Sequence, residues 1–156
     1  MEMRIRRADT TDAKAIADIL RELGWFPHLN DEPHSSTLAR VSSHLELCSS
    51  GKSHSVYVAE TENSEVIGYV SVHWLPYLFL QGPEGYVSEL FVKASARGKG
   101  VGGSLLAVVE SEARERGCSR LMLINGRNRE SYQRNFYEKH GWQEREQAAN
   151  FVYQLT

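Results

Sequence analysis

The chain has 156 residues, 41% hydrophobic and 24% charged, proportions typical of a globular domain with its own hydrophobic core. Its 18 lysines and arginines against 20 aspartates and glutamates leave a net charge of −2, which offers no basic field for nucleic acid or an anionic membrane. No segment has the roughly 20 apolar residues of a membrane span, and the N-terminal MEMRIRRADT lacks the apolar core of a secretory signal.

The cysteines and histidines indicate neither a disulfide framework nor a metal site. Cys48 and Cys118 belong to no CxxC pair, and the six histidines show no HxxxH or HExxH spacing. We therefore expect a cytoplasmic protein with reduced thiols and no bound metal.

The first third of the chain predicts one strand and two helices. Residues 3–7 alternate like a short strand, and an amphipathic helix follows, capped by Asp9 or Thr10 and ended by Gly24. The turn-rich segment WFPHLNDEPHSS predicts a loop. A second, weaker helix is expected from about Ser36 to Ser50.

The remaining chain alternates between strands and helices. Strands rich in β-branched and aromatic residues are predicted at 54–61, 65–74 and 86–93. A helix from 101 to about 116 is expected next. A strand at 121–125, a helix at 130–140 and a final strand at 151–155 complete the chain. We find neither a repeat nor a linker, so the pattern predicts a single mixed α/β domain over residues 1–156.

A glycine-rich turn joins the third of these strands to the following helix. It contains Arg97, Gly98, Lys99, Gly100, Gly102 and Gly103. Free amides at a helix N-terminus attract anions, glycine lets an oxyanion approach the main chain, and the two cations add charge-assisted donors. The turn therefore predicts a phosphate or pyrophosphate site. It satisfies GxGxxG, but it does not open a first βαβ unit as a dinucleotide fingerprint does, and no Gly-Lys-Ser/Thr closes it as in a P-loop.

Two motifs resemble those of the GNAT superfamily of N-acetyltransferases. Arg97-Gly-Lys-Gly-Val-Gly102 resembles that family's (Gln/Arg)-x-x-Gly-x-(Gly/Ala) turn, and Phe136-Tyr-Glu-Lys-His-Gly-Trp142 resembles its FYxxxGF-like helix end. The SELFV strand and the order of elements are also similar, over nearly the whole chain. The resemblance implies an α/β (α+β) fold, in which about four helices flank a central, mostly antiparallel mixed sheet of six to seven strands. It also implies acetyl-coenzyme A as the co-substrate.

The resemblance further implies which residues hold the coenzyme. The pantetheine arm would lie along the main chain of Leu90, Phe91 and Val92. The pyrophosphate would lie on the turn formed by Arg97, Gly98, Lys99, Gly100, Val101, Gly102, Gly103 and Ser104. Many members carry an asparagine seven residues before the motif tyrosine, where this chain has Glu130; Asn128 is implied as its replacement through a shifted loop.

Two catalytic residues are implied by the same resemblance. Tyr137 matches the tyrosine that lies by the coenzyme sulfur and serves as general acid, the alternative being a core aromatic beside Phe136. Glu89 lies in the strand beside the acetyl site, where a carboxylate deprotonates the amine directly or through water. The alternative is a glutamate that lies on the surface or is satisfied by a neighbouring partner. We expect strand alternation to place Val87, Glu89 and Phe91 on one face.

The acceptor is the least specified part of the prediction. Candidate residues form an aromatic collar, Trp25, Phe26, His28, Trp74, Tyr77, Leu78 and Phe79, which suits a small-molecule amine and a homodimer surface equally. We favour a small-molecule amine N-acetyltransferase. The alternatives are a protein or peptide acetyltransferase, acting on an α-amine or a lysine, and a non-catalytic acetyl-coenzyme A-binding module. Neither nucleic acid nor a membrane is expected as a partner.

Overall fold

The computed structural model describes residues 2–156, which fall into two compact units divided between Met122 and Leu123. The first unit is built on a sheet in the order β1-β2-β3-β4-β5. Its strands are β1 (Met3–Arg7), β2 (His54–Thr61), β3 (Val66–Leu75), β4 (Glu84–Val92) and β5 (Arg120–Leu123). Leu123, the last residue of β5, is the first residue of the second unit. Neighbouring strands from β1 to β4 are antiparallel.

The predicted α/β class is confirmed, but the described residues form five strands rather than six to seven. They also form six α-helices instead of about four, three of them only four or five residues long. The first unit contains α1 (Ala13–Leu23), α2 (Pro27–Asp31), α3 (His34–Ser49) and α4 (Val101–Glu115). Helix α2 lies inside the segment expected to be a loop and begins at Pro27, whose fixed φ suits a first helical position. No helix among residues 2–156 is long and apolar enough to cross a membrane.

Helices cover both faces of the sheet. On one face, α1 and α3 pack on β2 and β3 through a buried cluster: Ala13, Ile16, Ile19, Leu45, Val58, Val66 and Tyr69. On the other face, Ser55 and Tyr57 of β2 donate hydrogen bonds to Glu112 of α4. Since successive strand residues point to opposite faces, Val56 and Val58 face α1 and α3, whereas Ser55 and Tyr57 face α4.

A β-bulge in β4 decides which face its side chains occupy. Ser71 of β3 is paired with Glu89, but the next residue, Val72, is paired with Val87, so Ser88 is an extra residue in β4. Directly paired residues share a face. Val87 therefore lies with Val72 on the α4 face, and Glu89 lies on the α1 and α3 face. The expectation that Val87 and Glu89 share a face is wrong, because simple alternation takes no account of the bulge.

The second unit is largely irregular. The single helix expected at 130–140 is interrupted, giving α5 (Glu130–Gln133) and α6 (Phe136–Lys139). The interruption lies at Asn135, which adopts a left-handed conformation with φ 57°. The strand expected at 151–155 is not formed: its apolar side chains are exposed, and no backbone hydrogen bond of the second unit reaches it.

Candidate active site

The glycine-rich turn has the backbone shape that its sequence indicates. A short 3-10 turn, Ala94–Ala96, follows β4, and Gly98 and Gly100 then adopt left-handed conformations with φ 74° and 82°. Such values are costly for residues with a side chain. A Cβ at either glycine would meet no atom within 4 Å, so the surface of the turn is open.

Helix α4 begins directly at this turn. Gly100 caps the helix, and the amide of Ser104 donates to the carbonyl of Gly100 at 3.1 Å. Helix geometry leaves the preceding amides, those of Val101, Gly102 and Gly103, without an intrahelical acceptor. The exposed side chains of Arg97 and Lys99 flank the same turn. Free amides, the positive end of the helix dipole and two cations together suit a diphosphate.

The three residues expected to hold the pantetheine arm lie at the end of β4. Leu90, Phe91 and Val92 pair with Val70, Tyr69 and Gly68 of β3. Strand β5 approaches the beginning of β4, where Arg120 donates to Glu84 at 2.5 Å and Leu121 lies next to Gly85. Leu90 to Val92 therefore lie beyond these contacts of β5 with β4.

A cavity of about 230 Å³ lies between the sheet and the helices α1, α2 and α3. Its apolar wall consists of Ile16, Leu20, Phe26, Leu29, Val41, Leu45 and Val56, and its polar lining consists of His28, Arg40, His44, Cys48, Tyr69, Ser71 and Glu89. Among residues 2–156, no three histidine, cysteine or carboxylate side chains form a group that could hold a metal ion. The cavity thus combines an apolar body with a few polar groups, as small-molecule sites do.

Glu89 is held in this cavity by a tyrosine from the neighbouring strand. The Tyr69 hydroxyl donates to Oε1 of Glu89 at 2.8 Å. Burial, the charge of Glu89 and this hydrogen bond together raise the pKa of Tyr69 well above its ordinary value. Tyr69 therefore remains a donor throughout the physiological range, and Glu89 keeps one oxygen oriented while it lines the cavity.

Cys48 lies in the same cavity, but its environment does not favour a nucleophile. Burial and then the charge of Glu89 raise the pKa of the Cys48 thiol. A thiol must lose its proton to attack a carbonyl, and both effects oppose that loss. The environment of Cys48 therefore disfavours the thiolate form that a nucleophile requires.

The predicted aromatic collar is divided in the structure. Phe26 and His28 line the cavity, and Phe91 contacts Trp25, Phe26 and Tyr69 edge-on, at 5.6, 6.1 and 5.9 Å between ring centroids. Trp74 is instead buried on the α4 face, where its Nε1 donates to Ser55 at 3.0 Å. Tyr77 stacks on Phe79 at 5.7 Å in the loop before β4, and Leu78 beside them is fully exposed. Of the collar residues, only Phe26 and His28 line the cavity.

Tyr137 lies in the second unit, on α6. Its ring contacts Phe136 at 5.0 Å and Trp142 at 6.0 Å. Burial raises the pKa of Tyr137 to about 12, against a smaller opposing effect of Arg134, so the phenol keeps its proton at neutral pH. Asn128, the implied replacement for the family asparagine, is an exposed residue of the turn before α5. Nearby, Asn125 donates to Ser131 at 3.0 Å.

Sequence reasoning missed five polar residues of the cavity: Arg40, His44, Cys48, Tyr69 and Ser71. The first three are spaced by four residues along α3, so they follow one face of that helix over two turns. This spacing was a usable signal within the weaker helix expected from about Ser36 to Ser50. Tyr69 gives no such signal, because its partner is 20 residues away.

Comparison with known proteins identifies the family. Residues 17–142 match the sequence profile described as the acetyltransferase (GNAT) family. An uncharacterized N-acetyltransferase of Bacillus subtilis, YhfO, is 31% identical over 144 residues, or 91% of each chain. An aminoglycoside N(6′)-acetyltransferase of Stenotrophomonas maltophilia is 29% identical over 75% of this chain and 71% of its own.

A solved structure shares the fold. The crystal structure of a transcriptional regulator from Bacillus halodurans superimposes with a TM-score of 0.83, covering 97% of this chain and 100% of the other. Its sequence identity is 24%, so the likeness concerns the fold alone.

Proposed function

The chain belongs to the acetyltransferase (GNAT) family, and from this premise we propose that it transfers an acetyl group from acetyl-coenzyme A to the primary amine of a small molecule. One observation carries the choice of acceptor: the carboxylate of Glu89 lines a cavity of about 230 Å³ with a largely apolar wall. Such a space accepts a small molecule and leaves little room for a folded protein or an extended peptide. We treat residues 1–156 as one functional domain, since the family match covers residues of both units.

The glycine-rich turn is the proposed site of the coenzyme pyrophosphate. Gly98 and Gly100 adopt left-handed conformations and have no side chains to cover the surface of the turn. The first amides of α4 point outward from the helix end. Arg97 and Lys99 supply positive charge beside them. Bound there, acetyl-coenzyme A provides an activated thioester. We assign the pantetheine arm to the main chain of Leu90, Phe91 and Val92.

Glu89 is the proposed base. At neutral pH most aliphatic amines are ammonium ions, which have no lone pair for attack. The carboxylate takes one proton from the ammonium group, directly or through a water molecule, and the free amine then attacks the thioester carbonyl. The new C–N bond replaces the C–S bond, the nitrogen releases its second proton, and the departing sulfur gains one proton to leave as the free thiol. Tyr69 orients Glu89 in this step and is a positioning residue, because it acts only through the carboxylate.

Tyr137 is proposed to assist departure of the coenzyme sulfur. The assignment rests on its place in the FYEKHGW motif and on its own environment. Because its pKa is raised to about 12, the hydroxyl is protonated and able to donate to a developing thiolate. Asn128 remains a proposed coenzyme contact on the motif spacing alone.

A thiol-release assay with acetyl-coenzyme A tests this function. The panel should contain small amines, amino acids, an aminoglycoside and peptides with a free α-amine or lysine. We expect turnover with small amines and little with peptides. Efficient turnover of peptides alone would establish the protein acetyltransferase instead. Tight coenzyme binding without turnover of any acceptor would indicate a binding module.

A further inference from the structure

The charged and polar groups of the cavity are distributed unevenly. Glu89 is the only carboxylate among its lining residues, and it projects from the sheet. The groups that can carry positive charge, His28, Arg40 and His44, project from α2 and α3. Thus an acid and a set of basic groups face the same small space from different elements.

The helical spacing gives the distances of His44 and Arg40 from Cys48 along the axis of α3. Cys48 and Glu89 line the same cavity. His44 and Arg40 follow at intervals of four residues, and each interval corresponds to about 6 Å of rise. The basic groups of α3 are therefore about 6 and about 12 Å farther along the cavity than the Cys48 end.

Arg40 is oriented from outside the cavity. Both of its terminal nitrogens donate to Glu32, whose carboxylate also accepts from Thr37 at 2.8 Å. Glu32 is not among the lining residues, so it balances part of the Arg40 charge without placing a second acid in the cavity. The histidines retain N–H groups that can donate to an anion.

We propose that the acceptor is a compact amine that also carries an anionic group, with the amine at Glu89 and the anion at His44 and Arg40. This inference rests on the proposed function and narrows its substrate class. The anionic group is a carboxylate, phosphonate or phosphate. It lies several bonds from the amine, because Glu89 projects into the cavity from the sheet and the basic groups project from α3. The volume is below the roughly 300–1,000 Å³ of drug-sized sites, which favours a short chain over an aminoglycoside. A second amine on the acceptor would find no carboxylate beside Arg40 and His44, because Glu89 is the only acid among the lining residues.

Binding of a matched series of acceptors tests this inference without requiring turnover. In the presence of free coenzyme A, calorimetry should compare ω-amino acids of two to six carbons with n-alkylamines and α,ω-diamines of equal length. We expect the longer ω-amino acids to bind about 10- to 100-fold more tightly than the alkylamines, the range for a charge-assisted hydrogen bond. The diamines should bind most weakly. Equal affinity across the three sets would overturn the inference.

Two variants test which side chains bind the anionic group of the acceptor. His44→Leu and Arg40→Met should each reduce the preference for the acid over the alkylamine about 10-fold. His34→Leu is the matched control, because His34 is exposed on the same helix outside the cavity, and it should retain the preference. An identical response to His44→Leu and His34→Leu would contradict the assignment.

Turnover is scored separately from binding. Acetylation of alkylamines without any preference for acids refutes this inference alone. Selective binding of acids without any acetylation refutes the proposed function alone.

Discussion

The hydroxyl of Tyr69 donates a 2.8 Å hydrogen bond to Glu89 across the junction of β3 and β4, and the two side chains line one cavity. They are diagonal neighbours, since Tyr69 is paired with Phe91 and Glu89 with Ser71. The register between these two pairs is regular, so Glu89 lies with Tyr69 on the face of α1 and α3, and the bulge at Ser88 changes only the face of the β4 residues before it. An oriented carboxylate at the base of a small cavity is the feature on which the proposed chemistry depends.

Removing the Tyr69 hydroxyl should impair catalysis more than stability. In Tyr69→Phe the carboxylate of Glu89 loses its oriented donor, so we expect kcat/KM to fall about 10-fold, on the scale of a hydrogen bond to a charged group. Tyr57→Phe is the matched control, since Tyr57 donates to Glu112 at 2.6 Å on the opposite face. Thermal unfolding and kcat/KM should be measured for both. Equal losses of kcat/KM would show that Tyr69 has no specific role in positioning Glu89.

The coenzyme site can be tested at Gly100. Gly100→Asp places a side chain and a negative charge where the phosphates are proposed to lie, so calorimetry should detect at least about a 100-fold loss of acetyl-coenzyme A affinity, given the scale of charge-assisted contacts. Gly117→Asp introduces the same residue at another left-handed glycine, with φ 69° and open space around it. This control should share the backbone strain but retain affinity. Undiminished binding by Gly100→Asp would place the coenzyme elsewhere.

Tyr137→Phe keeps the ring and removes only the proposed donor to sulfur. We expect kcat to fall about 10²- to 10⁴-fold, the usual range for general acid assistance, with little change in coenzyme affinity. Because the pKa of Tyr137 is about 12, the wild type should lose no activity through this group up to about pH 10. Tyr132→Phe, which removes the hydroxyl that donates to Glu144 at 3.1 Å, serves as the control. An unchanged kcat in Tyr137→Phe, with chemistry rate-limiting, would exclude the role.

The part-buried pair of Arg6 and Asp12 predicts how stability depends on pH. Arg6 donates to both oxygens of Asp12, at 2.8 and 2.9 Å, and the amide of Asp9 donates at 2.9 Å. Burial alone would raise the pKa of Asp12, but these hydrogen bonds and the charge of Arg6 lower it overall.

Asp12→Asn should therefore reduce the free energy of unfolding by about 1.5 kcal/mol near pH 7, the lower end of the range for a hydrogen bond to a charged group. The stabilisation by a carboxylate with a lowered pKa is present above its unfolded value of about 3.9 and disappears as pH falls through the folded value. Denaturant unfolding should thus show wild type and variant converging in acid. A difference that stays constant down to pH 3 would contradict this explanation.

The elements that local patterns determine were predicted well. Helix α1 ends at Gly24 as expected, and β2, β3 and β4 lie within about two residues of their predicted bounds. The shape of the turn at Gly98 and Gly100 was predicted because it depends on the main chain, which glycine spacing reports directly. The family assignment was confirmed for the same reason: its motifs are local.

Features that depend on pairing between distant segments were not predicted. The bulge at Ser88 depends on the register of two strands, and a strand sequence gives no register by itself. Helix α2 contains only five residues, too few for a periodic pattern. The segment 151–155 has strand-like composition, but composition does not supply a partner for its backbone groups.

The most direct test of the proposed chemistry is the pH dependence of kcat/KM for Glu89→Gln. Glutamine keeps the shape of the side chain and still accepts from Tyr69, but it takes no proton from the amine. The exposed Glu115→Gln on α4 is the control for fold and net charge. All three proteins should bind acetyl-coenzyme A equally. Near pH 7 we expect Glu89→Gln to lose about 10²- to 10⁴-fold in kcat/KM, and to recover as pH approaches the pKa of the acceptor, where free amine becomes abundant. Profiles of the same height and shape for wild type and Glu89→Gln would contradict the assignment of Glu89 as the base.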